Sequence, residues 1–343
     1  MDDVDVTLGL EGSSDLAATI SRSARAVDRF GLDVGATLAW VRSVGADVAS
    51  APHAAGWESL AATAAVDVAG ARMLEPHVDA LQILEQAARV DAVSAEAAAG
   101  PDATWGVFAA EGKDVSVRAR EREGRWILSG TKPWCSLATH LSHALVTAWT
   151  APDERRLFAV DLRSPGVHPH AGPWVSRGLA QVVSAPVDFD DAVATPIGDD
   201  GWYLRRPGFA WGGIGVAAVW WGASLPVVGA LARAAAREGA DQLAAAYAGE
   251  ADAASWAARA VLADAAGRAA RGIDAPAVLA HRVRATVAET AERIASLAEQ
   301  ALGPGPLTTD EPFARRIADL RIYLRQHHGR RDLAGLGRKV SSS

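Results

Sequence analysis

The chain has 343 residues, half of them hydrophobic and 22% charged, with a formal net charge of −7. That length buries a sizeable core in two or three packed units, and the composition is that of an ordinary globular protein. An acidic balance without any Lys/Arg-rich block excludes a phosphate-neutralising surface, so no nucleic-acid partner is expected. Cys135 is the sole cysteine, which excludes an intrachain disulfide and fits a reducing cytoplasm. The start, Met1-Asp2-Asp3-Val4-Asp5, is acidic and lacks a basic–apolar–small signal pattern, so a cytoplasmic location is the expectation.

Residues 13–98 are rich in Ala, Leu and Val at helical spacing, with Ser13 or Ser14 as cap of the first helix. Trp57, Leu60, Ala64 and Val68 mark the apolar face of a later helix. Leu74, Val78, Leu81, Ile83 and Leu84 mark another, which Pro76 opens from its first turn. Gly100-Pro101-Asp102 breaks the pattern, and the hydrophobic period falls to two. Strands are predicted over 105–109, 115–120, 125–129, 144–149, 157–161 and 182–189. The run from Gly124 to Ser136 reads as a strand, a Gly130-Thr131 turn, and a second strand that opens on Trp134, Cys135 and Ser136. Short, evenly spaced strands suggest a β-barrel or sandwich-like unit.

From about 208 the helical period returns, with helices predicted over 209–237, 253–271, 276–302 and 311–325. Gly303-Pro304-Gly305-Pro306 stops the third, and Pro312 starts the fourth. Residues 207–232 carry no charge and are long enough to cross a bilayer. Their glycines, Pro226 and Ala content suit a buried helix of a large helical domain instead, so no membrane association is expected. The fold class is therefore α+β: an N-terminal α-helical domain (1–99), a middle β domain (100–206) and a C-terminal four-helix bundle (207–343).

Several motifs point to no chemistry of their own. Gly213-Ile214-Gly215-Val216-Ala217-Ala218 loosely matches a dinucleotide fingerprint, but a loop precedes it and no acid-bearing strand follows. Close helix packing accounts for those glycines. His140/His143, His168/His170 and His327/His328 lack a well-spaced Cys, Asp or Glu partner, so no metal site is expected. Cys135 has no activating base nearby in sequence and reads as a structural thiol. An indole beside a hydroxyl, as in Trp134-Cys135-Ser136, can cover a flat heteroaromatic ring and hydrogen-bond its edge. Ordinary strand residues are the bland alternative. The Gly303-Pro304-Gly305 turn frees backbone N–H groups after a helix for close approach to a cofactor, or simply caps that helix.

Together these stretches resemble the acyl-CoA dehydrogenase family. Gly124 to Ser136 looks like its Gly-x-x-x-x-Leu-x-Gly-x-Lys-x-Trp-x-Thr/Ser stretch. Val187 to Val193 looks like the strand closing its β-domain, Gln300 to Gly305 like its Gln-x-Leu-Gly-Gly-x-Gly turn, and Asp319 to Tyr323 like the segment leading to its active-site loop. The resemblance implies a flavin, FAD, touched by Phe108, Trp134, Cys135, Ser136, Gln300, Gly303 and Gly305, the last three across a subunit boundary. It also implies a homodimer or homotetramer acting on an acyl thioester, such as a CoA thioester, or a related activated acyl group.

The chain departs from the family in four places. The position of the usual catalytic Glu is His327, and the alternative position falls at Gly212 or Gly213. The Thr-Glu-Pro-x-x-Gly-Ser-Asp loop is reduced to Phe108-Ala109-Ala110-Glu111-Gly112-Lys113-Asp114. The pyrophosphate-gripping Arg-x-x-Phe-Gly is replaced by Arg237-Glu238-Gly239-Ala240-Asp241. His327 then becomes the expected catalytic base, since its ordinary pKa lies near neutrality. Two alternatives stand beside the dehydrogenase: a flavin monooxygenase-like enzyme on the same fold, and a member that has lost flavin and acts as a binding or assembly subunit.

Overall fold

Four helices lead the chain: α1 (Asp15–Arg25), α2 (Val34–Ser50), α3 (His53–Val66) and α4 (Val68–Ala88). The computed structural model describes residues 6–9, 13–90, 100, 102–272 and 276–341. Ser14 caps α1, its hydroxyl accepting from the Ala17 N–H at 3.2 Å. Asp67 separates α3 from α4, with φ of −153° and a carboxylate that accepts from the Gly70 N–H at 2.9 Å. Val68 therefore begins α4 rather than completing the face of Trp57, Leu60 and Ala64. Pro76 does not open a helix either, but lies inside α4. It removes one helical N–H, and the burial of Met73, Leu74, Val78 and Ile83 around it outweighs that loss.

The strands are β1 (Trp105–Phe108), β2 (Val117–Arg122), β3 (Arg125–Ser136), β4 (His143–Ala151), β5 (Glu154–Asp161), β6 (Val167–Pro169) and β7 (Ser184–Ile197). β3 pairs with β2 and β7, β7 with β5, and β5 with β4; a single parallel bridge, Arg118 to Trp149, returns β4 to β2. The five strands so form a closed ring, with β1 added beside β4 and β6 beside β7. Leu128, Val146, Phe158 and Val187 fill its interior. The expected Gly130-Thr131 turn is absent, and β3 runs through it. Gly130 instead sits at a register shift against β7 with φ of +116°, and a Cβ there would come 2.2 Å from the Ser116 carbonyl.

The remaining helices are α5 (Trp202–Arg205), α6 (Pro207–Ala235), α7 (Gln242–Ala270), α8 (Pro276–Leu302), α9 (Gly305–Thr309), α10 (Glu311–Tyr323) and α11 (Arg330–Ser341), with a 3₁₀ turn at Leu324–Gln326. α6 contains the uncharged stretch 207–232 and carries Arg233 in its last turn. It is long and apolar enough to cross a membrane, and it packs here between α3, α7 and α8. α7 starts earlier than expected because the Asp241 carboxylate accepts from the Leu243 and Ala244 N–H groups. α9 occupies the Gly-Pro turn, and α11 was not anticipated. Arg316 of α10 joins the two helical parts. Its buried guanidinium donates to the Ala64, Ala65 and Val66 carbonyls at 2.7, 2.9 and 2.8 Å, satisfying the C-terminal end of α3. Arg315 beside it pairs with Asp67 at 2.6 Å.

Candidate functional site

A cleft of about 440 Å³ opens between α4, α6, α8, the 3₁₀ turn and α11. One face of α4 puts Glu75 and Asp79 into it, four residues apart and therefore stacked. Glu75 Oε2 accepts from the Tyr323 hydroxyl at 3.1 Å and from Arg72 Nη1 at 3.5 Å. Burial pushes the Glu75 carboxyl above the usual carboxylate range, and Arg72 opposes this. Asp79 accepts from Arg206 Nη2 at 3.1 Å; burial raises it too, against the pull of Arg206. From α8, Arg284 donates to the Gly213 and Gln326 carbonyls at 2.9 and 3.1 Å and lies 4.8 Å over the Trp220 ring.

His327 follows the 3₁₀ turn and also borders the cleft. Its Nε2 is buried without a hydrogen-bond partner, and the nearest acid, Asp332 Oδ2, is 3.9 Å away. Burial holds the imidazole below its ordinary pKa, with Asp332 opposing and Arg284 assisting. This favours the neutral ring, the form a proton acceptor requires. Gly212 and Gly213 keep the α6 wall open, since a Cβ on Gly212 would stand 2.8 Å from Asp79 Oδ1.

A second group lies at the end of β3. Trp134 is 62% exposed with φ of +59°, a conformation that costs a non-glycine residue about 1–3 kcal/mol. It falls where the pairing with β7 shifts between Lys132 and Cys135. Cys135 points inward, 1% exposed, with its thiol pushed up to about 12 by burial. Ser136 shares a 2.7 Å hydrogen bond with Ser184 and accepts from Arg72 Nη2 at 3.2 Å. Arg72 therefore links Ser136 to Glu75, which accepts from Tyr323 and borders the cleft. The Gln181 side-chain oxygen, three residues before Ser184, is buried with no partner. The exposed Trp134 indole offers a face, and the nearby Ser136 hydroxyl a polar group, of the kind that suits a flat heteroaromatic ring such as a flavin.

Not every expected residue joins these groups. Phe108, on β1 beside the ring, is buried in the main hydrophobic core. Gln300 and Gly305 are exposed at the far end of α8, and Gly303, with φ of +64°, ends that helix; none of the three borders the cleft. Glu111 of the shortened loop is taken up by Lys132 at 2.8 Å, Arg155 at 3.0 Å and Trp149 at 3.3 Å. Residues 237–241 form an exposed turn. Among the described residues no metal-binding cluster of three or more His, Cys, Asp or Glu occurs. Arg72, Glu75, Asp79, Arg206 and Arg284 were not anticipated. Their signal was charge within buried helical stripes, as at Glu75 between Leu74 and Val78. A larger open groove of about 650 Å³ beside α7, α8 and α11 touches neither group, and its Arg293 is paired with Glu250 at 2.8 Å.

Residues 199–325 match the acyl-CoA dehydrogenase C-terminal domain family. No curated protein matches the sequence. Butyryl-CoA dehydrogenase from Megasphaera elsdenii has a similar structure at TM-score 0.82 and 14% identity, over 96% of this chain and 99% of that one. The FAD complex of PigA gives 0.80 at 17% identity, over 96% and 98%. KijD3 in complex with FMN and dTDP-3-amino-2,3,6-trideoxy-4-keto-3-methyl-D-glucose gives 0.73 at 20% identity, over 90% and 86%. At such identities the likeness is one of fold.

Proposed function

As this chain is an acyl-CoA dehydrogenase-like protein in its fold and its 199–325 segment, we propose that it is a flavin-dependent oxidoreductase acting on an acyl thioester or a related activated acyl group. The observation that carries this reading is the side-chain path Ser136–Arg72–Glu75–Tyr323, which joins the exposed Trp134 end of β3 to a cleft bordered by His327. The proposed cofactor is FAD, held against Trp134 and Ser136; a bound flavin supplies a hydride acceptor. His327, neutral and unpartnered at Nε2, takes the acidic proton of the substrate. The enzyme works as a homodimer or homotetramer. Its α6 is spent within the chain, so the apolar surface for association comes from exposed Leu243 and Trp256 of α7.

One observation favours a second reading, a binding or assembly subunit without flavin. Asp241, where a pyrophosphate grip would lie, is committed to capping α7. Purification with FAD or FMN supplied in excess, followed by an absorption spectrum, separates the two. About one flavin per chain supports the enzyme; none in either sample leaves the binding subunit. Light scattering at micromolar concentration is expected to give at least twice the chain mass, and a monomer would overturn the assembly.

A further inference from the structure

Between β6 and β7 the barrel sends out a long loop, residues 170–183, whose far end is fastened to the helical part. Leu179 sits there with φ of +50° and a side chain 5% exposed. A bulky residue keeps that left-handed conformation only where its surroundings hold it. Three contacts do so. The Leu179 N–H donates to Asp319 Oδ1 of α10, and its carbonyl accepts from Trp174 Nε1 at 3.1 Å. Gly178 before it lies so close to α10 that a Cβ would stand 2.0 Å from the Ala318 carbonyl. A few residues on, the same loop reaches the Trp134–Ser136 end of β3. The Val183 carbonyl accepts from the Leu137 N–H at 2.7 Å, and the Ser184 hydroxyl shares its 2.7 Å bond with Ser136. Gln181, with its unmatched oxygen, lies between the two anchors.

Asp319 is 1% exposed, and burial pushes its carboxyl up to about 6. The Leu179 N–H pulls it down, Asp67 pushes it up, and Arg315 and Arg316 pull it down. Arg315 Nη1 is 3.9 Å from Asp319 Oδ2, but its closer acid is Asp67 at 2.6 Å, and Arg316 is taken up by backbone carbonyls. The loop's own charges, His170 and Arg177, are exposed, and His170 pairs with Asp188 at 2.7 Å. An ionised Asp319 therefore opposes the docking that covers it, and a protonated one does not.

We propose that loop 170–183 is a latch on the Trp134–Ser136 site, closed on α10 through Asp319, and that Asp319 is the residue through which acid tightens it. Asp319 is a positioning residue, acting on the site through Leu179. The inference rests on the proposed flavin site, of which the loop is the movable wall, but its first test needs no flavin. The docked form takes up a proton near pH 6, and the released form near the ordinary Asp value of 3.8, so docking strengthens about tenfold from pH 7 to pH 5.

Amide exchange of the full chain, followed by mass spectrometry and corrected for its intrinsic pH dependence, should show that difference in residues 170–183 while amides of α6 stay unchanged. Asp319→Asn keeps an acceptor and cannot titrate, so its loop at pH 7 should be as closed as the wild type's at pH 5. Asp319→Ala leaves the Leu179 N–H unpaired; at pH 5 it should open the loop about tenfold or more and weaken FAD severalfold in a fluorescence titration. Should that variant fail to fold, the isosteric Asp319→Asn decides alone. Loop exchange indifferent to pH, a pH dependence that survives in Asp319→Asn, α6 amides that follow the loop, or undiminished FAD affinity in folded Asp319→Ala would overturn the proposal. The expected exchange in a chain that takes up no FAD sustains the latch and removes the enzyme reading. FAD uptake with exchange indifferent to pH removes the latch and leaves the enzyme.

Discussion

The hydroxyls of Ser136 and Tyr323 meet through two side chains, Arg72 and Glu75, from a helix that contributes to neither motif. Trp134 lies two residues before Ser136 on β3, and Glu75 of the path borders the same cleft as His327. Replacing Trp134 with Ala removes an exposed stacking surface, and flavin affinity measured by fluorescence titration should fall about tenfold. His327→Ala should keep flavin bound and slow substrate-driven flavin reduction by about a hundredfold. The pH profile adds a check. Because burial lowers the His327 pKa, the basic form persists into mild acid, and the acidic limb of the rate should lie below the ordinary histidine value of 6.5. That limb should vanish in the variant; an unchanged limb would clear His327 of the role. Trp134, Ser136 and His327 stand out as candidates in the sequence because they fall in recognisable stretches. Arg72 and Glu75 do not, since an ion pair three residues apart on a helix is a common surface pattern. Only the tertiary fold buries this one.

At the scale of elements, the crossing of α3 and α6 depends on Gly222, where a Cβ would lie 2.1 Å from the Ala61 carbonyl. Gly222→Ala gains helix propensity worth about 1 kcal/mol, but forces two backbones apart. A net loss of about 1–3 kcal/mol in urea unfolding is expected, and a stabilised variant would contradict the close crossing. The switch of hydrophobic period between helices and strands was readable because it depends on side-chain direction alone. Breaks within a class were less so. Pro76 looked like a helix start, while Asp67 supplied the actual cap. Gly130 looked like a turn, whereas its positive φ serves a bulge in a continuous strand. In both cases the local residue preference is real, and the burial of neighbouring faces decides how it is used.

Across the whole molecule, Arg316 reaches about 250 residues back along the chain to finish α3. Arg316→Met keeps the bulk and strips four carbonyls, those of Ala64, Ala65, Val66 and Ala223, of their donor, which should cost about 3 kcal/mol or more in chemical denaturation. Acid should act on the molecule as a whole through His77, which is buried on α4, accepts from the Trp105 N–H at 3.2 Å and is pushed down to about 4 by burial. A depressed imidazole favours the folded state above its unfolded value of 6.5, and that contribution is lost as pH falls toward 4. The expected loss is about 3 kcal/mol across that window, and a His77→Gln variant should show a flatter pH dependence of its unfolding midpoint. The buried thiol of Cys135 makes the barrel its own clock. With one cysteine in the chain, 1% exposed and raised to about 12, alkylation at mildly alkaline pH can proceed only from molecules whose barrel has opened. The labelling rate of the unmodified protein therefore counts those openings, and comparing it with helix loss by circular dichroism tells whether barrel and helices come apart together or in turn.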